Sequence, residues 1–406
     1  MHPILVVLLI SVFIAYLGVG IITPNMPVYA TQLGATGIML GLIIGAFSVS
    51  RGVLQPVVGA LSDRSGRKRF LVTGMGLYSA CGLLYPLATS AEHLIVIRCI
   101  HGAGSAMTIP MAMAIIGDLA PSGQEGRYMG LLNVAMFAGI GGGPLLGGLA
   151  SDLWGMDSAF YAMSLLSIIA TVLVITLLPA RSRNAVWQKG EGLLSVFRRM
   201  LGNIRVLGIL LSRMATMTVM LPTMGFLPIL MTRAMGSTGL EIGIVMATRT
   251  IINAVGQPPF GRMADRYNKV MLLAVGSLLM TVAMFLVPFA RTFQQLIPLF
   301  MMLGLGEAVV WPVLGAFAVE EGRTYGQGSM MGVFNMAMSI GMLIGSIVTG
   351  FLMDVLGLGF AFFSISLIML VCTLIACRLI LAGENRRLVL EVSMADPDDN
   401  GNCGSG

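Results

Sequence analysis

Residues 59–69 read Gly59-Ala-Leu-Ser-Asp63-Arg64-Ser-Gly66-Arg67-Lys68-Arg69, and residues 261–269 read Gly261-Arg-Met-Ala-Asp265-Arg266-Tyr-Asn-Lys269. The two stretches lie 202 positions apart, and the same offset holds far to either side. It pairs Gly34 with Gly236, Gln55-Pro56 with Gln257-Pro258, and Gly102 and Gly104 with Gly304 and Gly306. Farther on it pairs Pro110 with Pro312, Asn133 with Asn335, Gly143 with Gly345 and Gly155 with Gly357. No gap interrupts the register from Gly34 to Gly155. The unit is far longer than the roughly 20–50 residues of a solenoid repeat, so the chain is a two-fold internal duplication.

Composition places that duplication in a membrane. The chain is 56% hydrophobic and only 10% charged, with a mean hydropathy of +0.90, whereas about a quarter of the residues of a soluble domain are charged. Apolar runs of spanning length, ~20 residues, recur at 4–28, 38–62, 70–90, 94–117, 128–150, 158–179, 204–231, 240–262, 270–290, 295–319, 329–353 and 359–381. Six fall in each copy. The pattern predicts an all-α integral membrane protein of twelve transmembrane helices in two pseudo-symmetric bundles. Residues 1–180 form the first bundle, 181–203 a cytoplasmic linker, 204–382 the second bundle and 383–406 a disordered tail. The first run lacks a basic n-region and is too long for a signal h-region, so it reads as a span.

Lysine and arginine placement gives the orientation. With the N-terminus inside, inner loops and tail carry eighteen of the twenty-four basic residues and outer loops carry Arg233 and Arg291 alone. Both termini are therefore expected in the cytoplasm. The net charge of +6 follows from this topology and gives no support to nucleic-acid binding. Cys81, Cys99, Cys372 and Cys377 lie in apolar runs and Cys403 in the tail, with neither a disulfide framework nor metal-ligand spacing. No cofactor is expected.

The loop Gly59…Arg69 with its second copy resembles the signature loop of the major facilitator superfamily, placed as that family places it, between the second and third spans of each six-span half. The resemblance covers about residues 1–382. A glycine on the second span lets a neighbouring helix approach closely, and an aspartate at a helix end can meet the positive N-terminus of a helix from the other half. The resemblance implies a conformational latch at Gly59, Asp63, Arg64, Gly66 and Arg67, and at Asp265 and Arg266 in the second copy. The alternative is that the basic residues only enforce topology. In the second copy Asn268 replaces Gly66, which weakens the expectation there.

Span 5 carries Gly130, Gly139, Gly143-Pro144 and Gly147-Gly148, which resembles the antiporter motif of the drug/proton exporters of that superfamily. Small residues three or four apart make a flat packing face, and the proline bends the helix. The second half keeps Gly332, Gly341 and Gly345 but has Ser346 in place of the proline. The resemblance takes the Gly-Pro form in the first half as a mark of export. An ordinary packing face is the plain alternative. Span 1 ends in an element similar to that of twelve-span exporters; cation-extruding relatives often carry an acid in this span, where the present sequence has only Asn25 and Thr23.

Ionisable groups inside spans are costly and are functional candidates. Here they are Arg51, Arg98, His101, Arg213, Arg249 and Glu307. Arg98, His101 and Ser105 share one helix face, and the offset of 202 lays Glu307 on the position of Ser105. Glu307, the one carboxylate deep in a span, is expected to carry the coupling proton, with His101 second and Arg98 in the family's span-4 arginine position. A static pair of Glu307 with Arg249 is the competing reading. Arg51, Gln55, Arg213, Arg249 and Gln257, with Asn25 and Trp311, are the candidates for the substrate cavity. Four arginines against one glutamate predict a preference for anionic or zwitterionic amphipathic solutes.

The expectation is therefore a monomeric secondary transporter of the inner (plasma) membrane, not an enzyme. Its partners are a small-molecule substrate, protons and the bilayer. The favoured reading is proton-coupled efflux by alternating access at a midplane site. Uptake or facilitated diffusion of an organic anion, a lipid flippase, and a membrane sensor or scaffold stand as rivals.

Overall fold

A computed structural model describes residues 3–35, 37–179 and 193–395. The first half consists of α1 (Pro3–Gln32), α2 (Gly37–Ser65), α3 (Arg67–Leu84), α4 (Ala91–Leu119), α5 (Glu125–Trp154) and α6 (Met156–Leu177). A short helix α7 (Leu193–Leu201) precedes the second half, which consists of α8 (Ile204–Leu221), α9 (Leu227–Met235), α10 (Gly239–Arg266), α11 (Lys269–Leu286), α12 (Phe293–Tyr325), α13 (Gln327–Leu356) and α14 (Leu358–Ala395). In a bilayer the backbone must satisfy itself, and helices do this within one segment.

The offset of 202 reappears as packing. In the first half α2 lies on α4, α1 on α5 and α6, and α3 on α4 and α6. In the second, α10 lies on α12, α8 on α13 and α14, and α11 on α12 and α14. The halves meet where α2 crosses α13 and where α5 crosses α10, two contacts that the same symmetry interchanges. Large apolar side chains such as Val53, Leu145, Val255 and Ile347 are exposed on the outside of the bundle, as a lipid-facing surface requires.

Nine of the described helices, α1, α3–α6 and α11–α14, are long and apolar enough to cross a membrane. The other three expected spans fall on α2, α10 and the pair α8–α9. These carry Arg51 and Gln55, Arg249 and Gln257, and Arg213 in their interiors, which lowers their hydropathy.

Three boundaries differ from the sequence reading. The run 204–231 is broken by a π-type turn at Pro222–Phe226, because a proline inside a helix cannot complete its hydrogen-bond ladder. The linker at 181–203 contains α7, whose Val196 and Met200 are buried; residues 180–192 lie outside the described ones. The last helix does not stop at 382 but runs to Ala395. Its extension is anchored where Gly383 packs on Arg205 and Glu384 lies 3.6 Å from the Arg205 guanidinium. The rest of the expected tail, 396–406, is outside the described residues.

Candidate functional site

At one end of the bundle, both copies of the signature loop reach across to the other half. Asp63 accepts from the Gly328 amide at 2.8 Å, and from the Ser329 amide at 2.7 Å and its hydroxyl at 2.8 Å, at the first turn of α13. Asp265 accepts from the amides of Gly126 at 2.7 Å and Arg127 at 2.9 Å, at the first turn of α5. A carboxylate at an orphaned set of helix N–H groups is favoured both by hydrogen bonding and by the helix dipole. The second copy thus forms the same contact as the first.

The glycines explain how the carboxylates get so close. A Cβ built on Gly59 would lie 2.2 Å from the Gly328 carbonyl, and one on Gly261 would lie 2.6 Å from that of Gly126. Gly66 has a different reason: open space surrounds it, but its φ is +90°, a conformation that glycine adopts freely. Asn268 stands at the same place with φ −60° and caps α11 instead, its side chain accepting from the Met271 amide.

Behind the first latch, buried Arg67 donates to Asp63 at 2.9 Å and to the Ala114 carbonyl at 2.9 Å, and pairs with Asp118. The offset places Lys269 on Arg67 and Glu320 on Asp118, and these two pair at 2.8 Å. Glu320 and Glu321 also hold Arg205. A further tie crosses between the halves: Arg323, at the end of α12, binds Glu125 at 2.5 Å and Ser122 at 2.7 Å. Arg64 and Arg266 are exposed.

The glycines of α5 divide between two neighbours. Gly130 faces α10, where a Cβ would meet the Gln257 carbonyl at 2.8 Å, so it belongs to the crossing between halves. Gly139, Gly143 and Gly147 face α1 of their own half, where a Cβ would fall within 2.6 Å of the backbone of Phe13, Gly20 and Ile21. A Cβ on Gly148 would meet nothing, and Pro144 is exposed. In the second half Gly341 and Gly345 lie equally close to α8.

Between the halves lies a cavity of about 130 Å³ with walls from α1, α2, α4, α5, α8, α12 and α13. Arg51, Arg213 and Trp311 line it, together with Tyr16, Phe137, Asn133, Asn335 and five methionines, among them Met338. Positions related by the offset face it from both halves: Asn133 and Asn335, Met136 and Met338, Ile109 and Trp311. The Arg213 guanidinium lies 4.9 Å from the Trp311 ring centre and 4.7 Å from that of Phe334.

The other cavity candidates lie outside this wall. Asn25 joins α1 to α5, donating to Ser151 at 3.2 Å. Gln55 sits at the crossing of α2 and α13 and accepts from Ser339 at 3.4 Å. Gln257 sits at the crossing of α5 and α10, accepting from Asn133 at 3.1 Å and donating to Asn253 at 2.7 Å. Arg249 lies in the interior of the second half, where its Nε donates to Glu307 at 3.0 Å and a second nitrogen grips the other carboxylate oxygen. It also reaches Thr223, and Asn253 adds a bond to Glu307 at 3.0 Å. The competing reading of Glu307 as an ion-pair partner is the arrangement found.

His101 is not brought near Glu307. It is buried in the first half, its Nδ1 3.0 Å from the Tyr85 hydroxyl, with Phe47, Tyr78 and Tyr85 packed edge-on around it and Nε2 without a partner. Arg98 lies over the Phe47 ring at 5.0 Å. Sequence reasoning passed over Asp118, Glu125, Arg323, Asn253 and Met338. The offset held the signal for two of them: Asp118 falls on Glu320, and Asn253 falls on Arg51.

A family model described as Major Facilitator Superfamily matches residues 8–224 and again 205–391. An uncharacterized MFS-type transporter of Methanocaldococcus jannaschii is 30% identical over 359 residues, 87% of this chain and 92% of its own. Multidrug resistance protein 1 of Bacillus subtilis is 24% identical over 352 residues, covering 86% of this chain and 90% of its own. Quinolone resistance protein NorA of Staphylococcus aureus is 31% identical over 187 residues, 46% and 48% of the two chains. Among solved structures, the human organic anion transporter MFSD10 superposes with a TM-score of 0.76 at 18% identity, covering 92% of this chain and 99% of its own.

Proposed function

The chain belongs to the Major Facilitator Superfamily, and on that premise we propose that this multi-pass membrane transporter exports a small amphipathic organic compound in exchange for protons. The observation that carries the reading is a central cavity built by both halves and closed at one end by two aspartate latches. Arg64, Arg69, Arg262 and Arg266 are exposed at that end, and the bias of basic residues assigns it to the cytoplasm. The latched state then faces outward, with both chain termini inside. Export direction draws support from the Gly-Pro pair of α5 and from the multidrug and quinolone resistance proteins among the relatives.

Glu307 is assigned the proton. In this reading a proton arriving at Glu307 breaks its contact with Arg249 and frees that guanidinium to move. Such a group can bias two conformations because its interactions differ between them. Arg98 and His101 stabilise the interior of the first half.

The test is flux in proteoliposomes under an imposed pH gradient. Accumulation of a substrate on the acidic side, abolished by Glu307→Gln while gradient-free exchange persists, is the expected result. Uptake into the alkaline compartment together with protons, or accumulation unaffected by Glu307→Gln, would overturn the export and coupling assignments respectively.

A further inference from the structure

Arg51 and Arg213 share an odd partner. Arg51 comes from α2 of the first half and Arg213 from α8 of the second, and both direct a guanidinium nitrogen at one thioether, Met338 Sδ, at 3.9 and 3.1 Å. A thioether is a weak acceptor, and buried cations are otherwise paired. No carboxylate lies on the cavity wall among its described residues, and Glu307, one helical turn from Trp311, is already taken by Arg249. The Nε atoms of both arginines and the Trp311 indole N–H are buried with no hydrogen-bond partner. Donors thus converge from both halves on a wall whose described residues offer amide oxygens, Asn335 Oδ1 among them, but no anionic acceptor.

The geometry points to an organic anion as the substrate: its carboxylate or sulfonate takes the position of Met338 Sδ between Arg51 and Arg213, and its ring lies against Trp311 and Phe137. The inference rests on the transport reading above and names the substrate class for that site. Guanidinium forks match planar oxyanions in two-point contacts, and Trp311 and Phe137, 4.8 Å apart, offer the aromatic surface. A volume of about 130 Å³ is close to that of an engineered apolar cavity of about 150 Å³ that holds benzene, so the latched state accepts a single-ring body. The methionines adapt to its outline.

The same arrangement couples occupancy to movement. In the empty cavity the two guanidiniums repel each other across the junction of the halves, which opposes closure around the site. An anion between them turns repulsion into two attractions, so a loaded transporter closes more readily than an empty one.

Three probes of one shape test the inference: 4-ethylbenzoate, 4-ethylbenzamide and 4-ethylbenzylammonium, added to the purified full chain with thermal unfolding and equilibrium binding as readouts. The carboxylate is expected to bind at least tenfold tighter than the amide or the ammonium. Arg51→Gln and Arg213→Gln should each weaken it tenfold or more. Met338→Glu, which supplies an internal carboxylate, should raise the unfolding temperature without ligand and abolish carboxylate binding. Equal or tighter binding of the ammonium, carboxylate affinity unchanged in both arginine variants, carboxylate binding retained by a folded Met338→Glu protein, or binding of none of the three overturns the proposal. Proton-driven flux of a cationic dye with no carboxylate binding would sink the anion assignment and leave the export reading standing. Loss of all gradient-driven flux would sink both.

Discussion

The interiors of the two halves are built on superimposable helices and hold opposite chemistry. In the first, Phe47, Tyr78 and Tyr85 enclose His101, and Arg98 lies over an aromatic face. In the second, Arg249 stands at the position of Phe47, Asn253 at that of Arg51 and Glu307 at that of Ser105, and the first two both bind Glu307. An aromatic box is stable by burial and edge-on packing and has little to gain from a proton. A buried ion pair is held against a desolvation cost, so a change of one proton alters its geometry. Duplication supplied the frame, and divergence put a buried ion pair in one half.

The largest expected effect comes from breaking that pair. Glu307→Ala strands the Arg249 cation and should cost about 3–5 kcal/mol of stability. His101→Phe, losing one hydrogen bond to Tyr85, should cost about 1 kcal/mol. The double variant Arg249→Met/Glu307→Leu should recover most of the loss, since apolar replacement of a buried pair is often neutral. Denaturation of the purified variants in detergent measures all three. Equal losses for Glu307→Ala and His101→Phe would erase the contrast.

Next in size are the latches. Asp63 accepts three bonds from α13 and also holds Arg67, whereas Asp265 accepts two amides. Asparagine keeps one acceptor oxygen. At about 1.5–3 kcal/mol per hydrogen bond to a charged group, Asp265→Asn, giving up one bond, should slow transport roughly tenfold to a hundredfold, and Asp63→Asn, giving up two, by more. A distance measurement between spin labels on the ends of α2 and α13, and on those of α5 and α10, reports each opening separately. If Asp265→Asn opens the bundle as widely as Asp63→Asn, Arg67 adds nothing to the first latch.

Glycine replacements should be smaller. Gly59→Ala drives a methyl into the Gly328 carbonyl, and Gly261→Ala does the same at Gly126 with 0.4 Å more room, 2.6 against 2.2 Å. Overpacking of this kind costs about 1–3 kcal/mol, with Gly59 the more severe. Gly148→Ala, facing open space, should stabilise its helix by up to about 1 kcal/mol. Thermal unfolding ranks the three, and a severe loss at Gly148 would show that α5 packs elsewhere during the cycle.

These contrasts show how far the sequence could be read. The offset of 202 and the apolar runs carry the architecture, because duplication preserves glycine and proline positions that backbones require. It carries Asp63 more firmly than Asp265, since both lie one turn after a glycine near the end of a helix but Asn268 replaces Gly66 in the second copy. The expense of a charge in a membrane singled out Arg51, Arg213 and Trp311's neighbourhood. Met338 was invisible, because a thioether among thirty-three methionines gains its meaning only from two arginines on other helices. Glu307 could be placed on a face and Arg249 named as one reading of its partner, but the choice stayed open, since Arg249 lies 58 residues away and the rotation of α10 decides the pairing. Polar residues after 382 read as a tail, while contact with Arg205 keeps them helical at the start.

The smallest effect concerns pH at the second latch. Burial pushes the Asp265 carboxyl up from its ordinary value, with Glu125 adding to the rise, against the lowering pull of the Arg127 and Gly126 amides and of Lys269. When the latch opens, the carboxyl meets water and returns toward about 3.9. A group whose pKa is higher in the closed state binds protons better there, so its contribution is full below the ordinary value and is lost as pH rises through the raised one. The separation of α5 and α10 should therefore grow slightly from pH 4 upward. Glu125, held by Arg323 at 2.5 Å, lies beside it, so the control is Asp265→Asn, which should flatten the profile while Arg323→Gln should not. A latch that tightens as pH rises would mean that the amide bonds to the carboxylate outweigh its desolvation, and that the second latch works as a weaker copy of the first rather than as its acid-favoured counterpart.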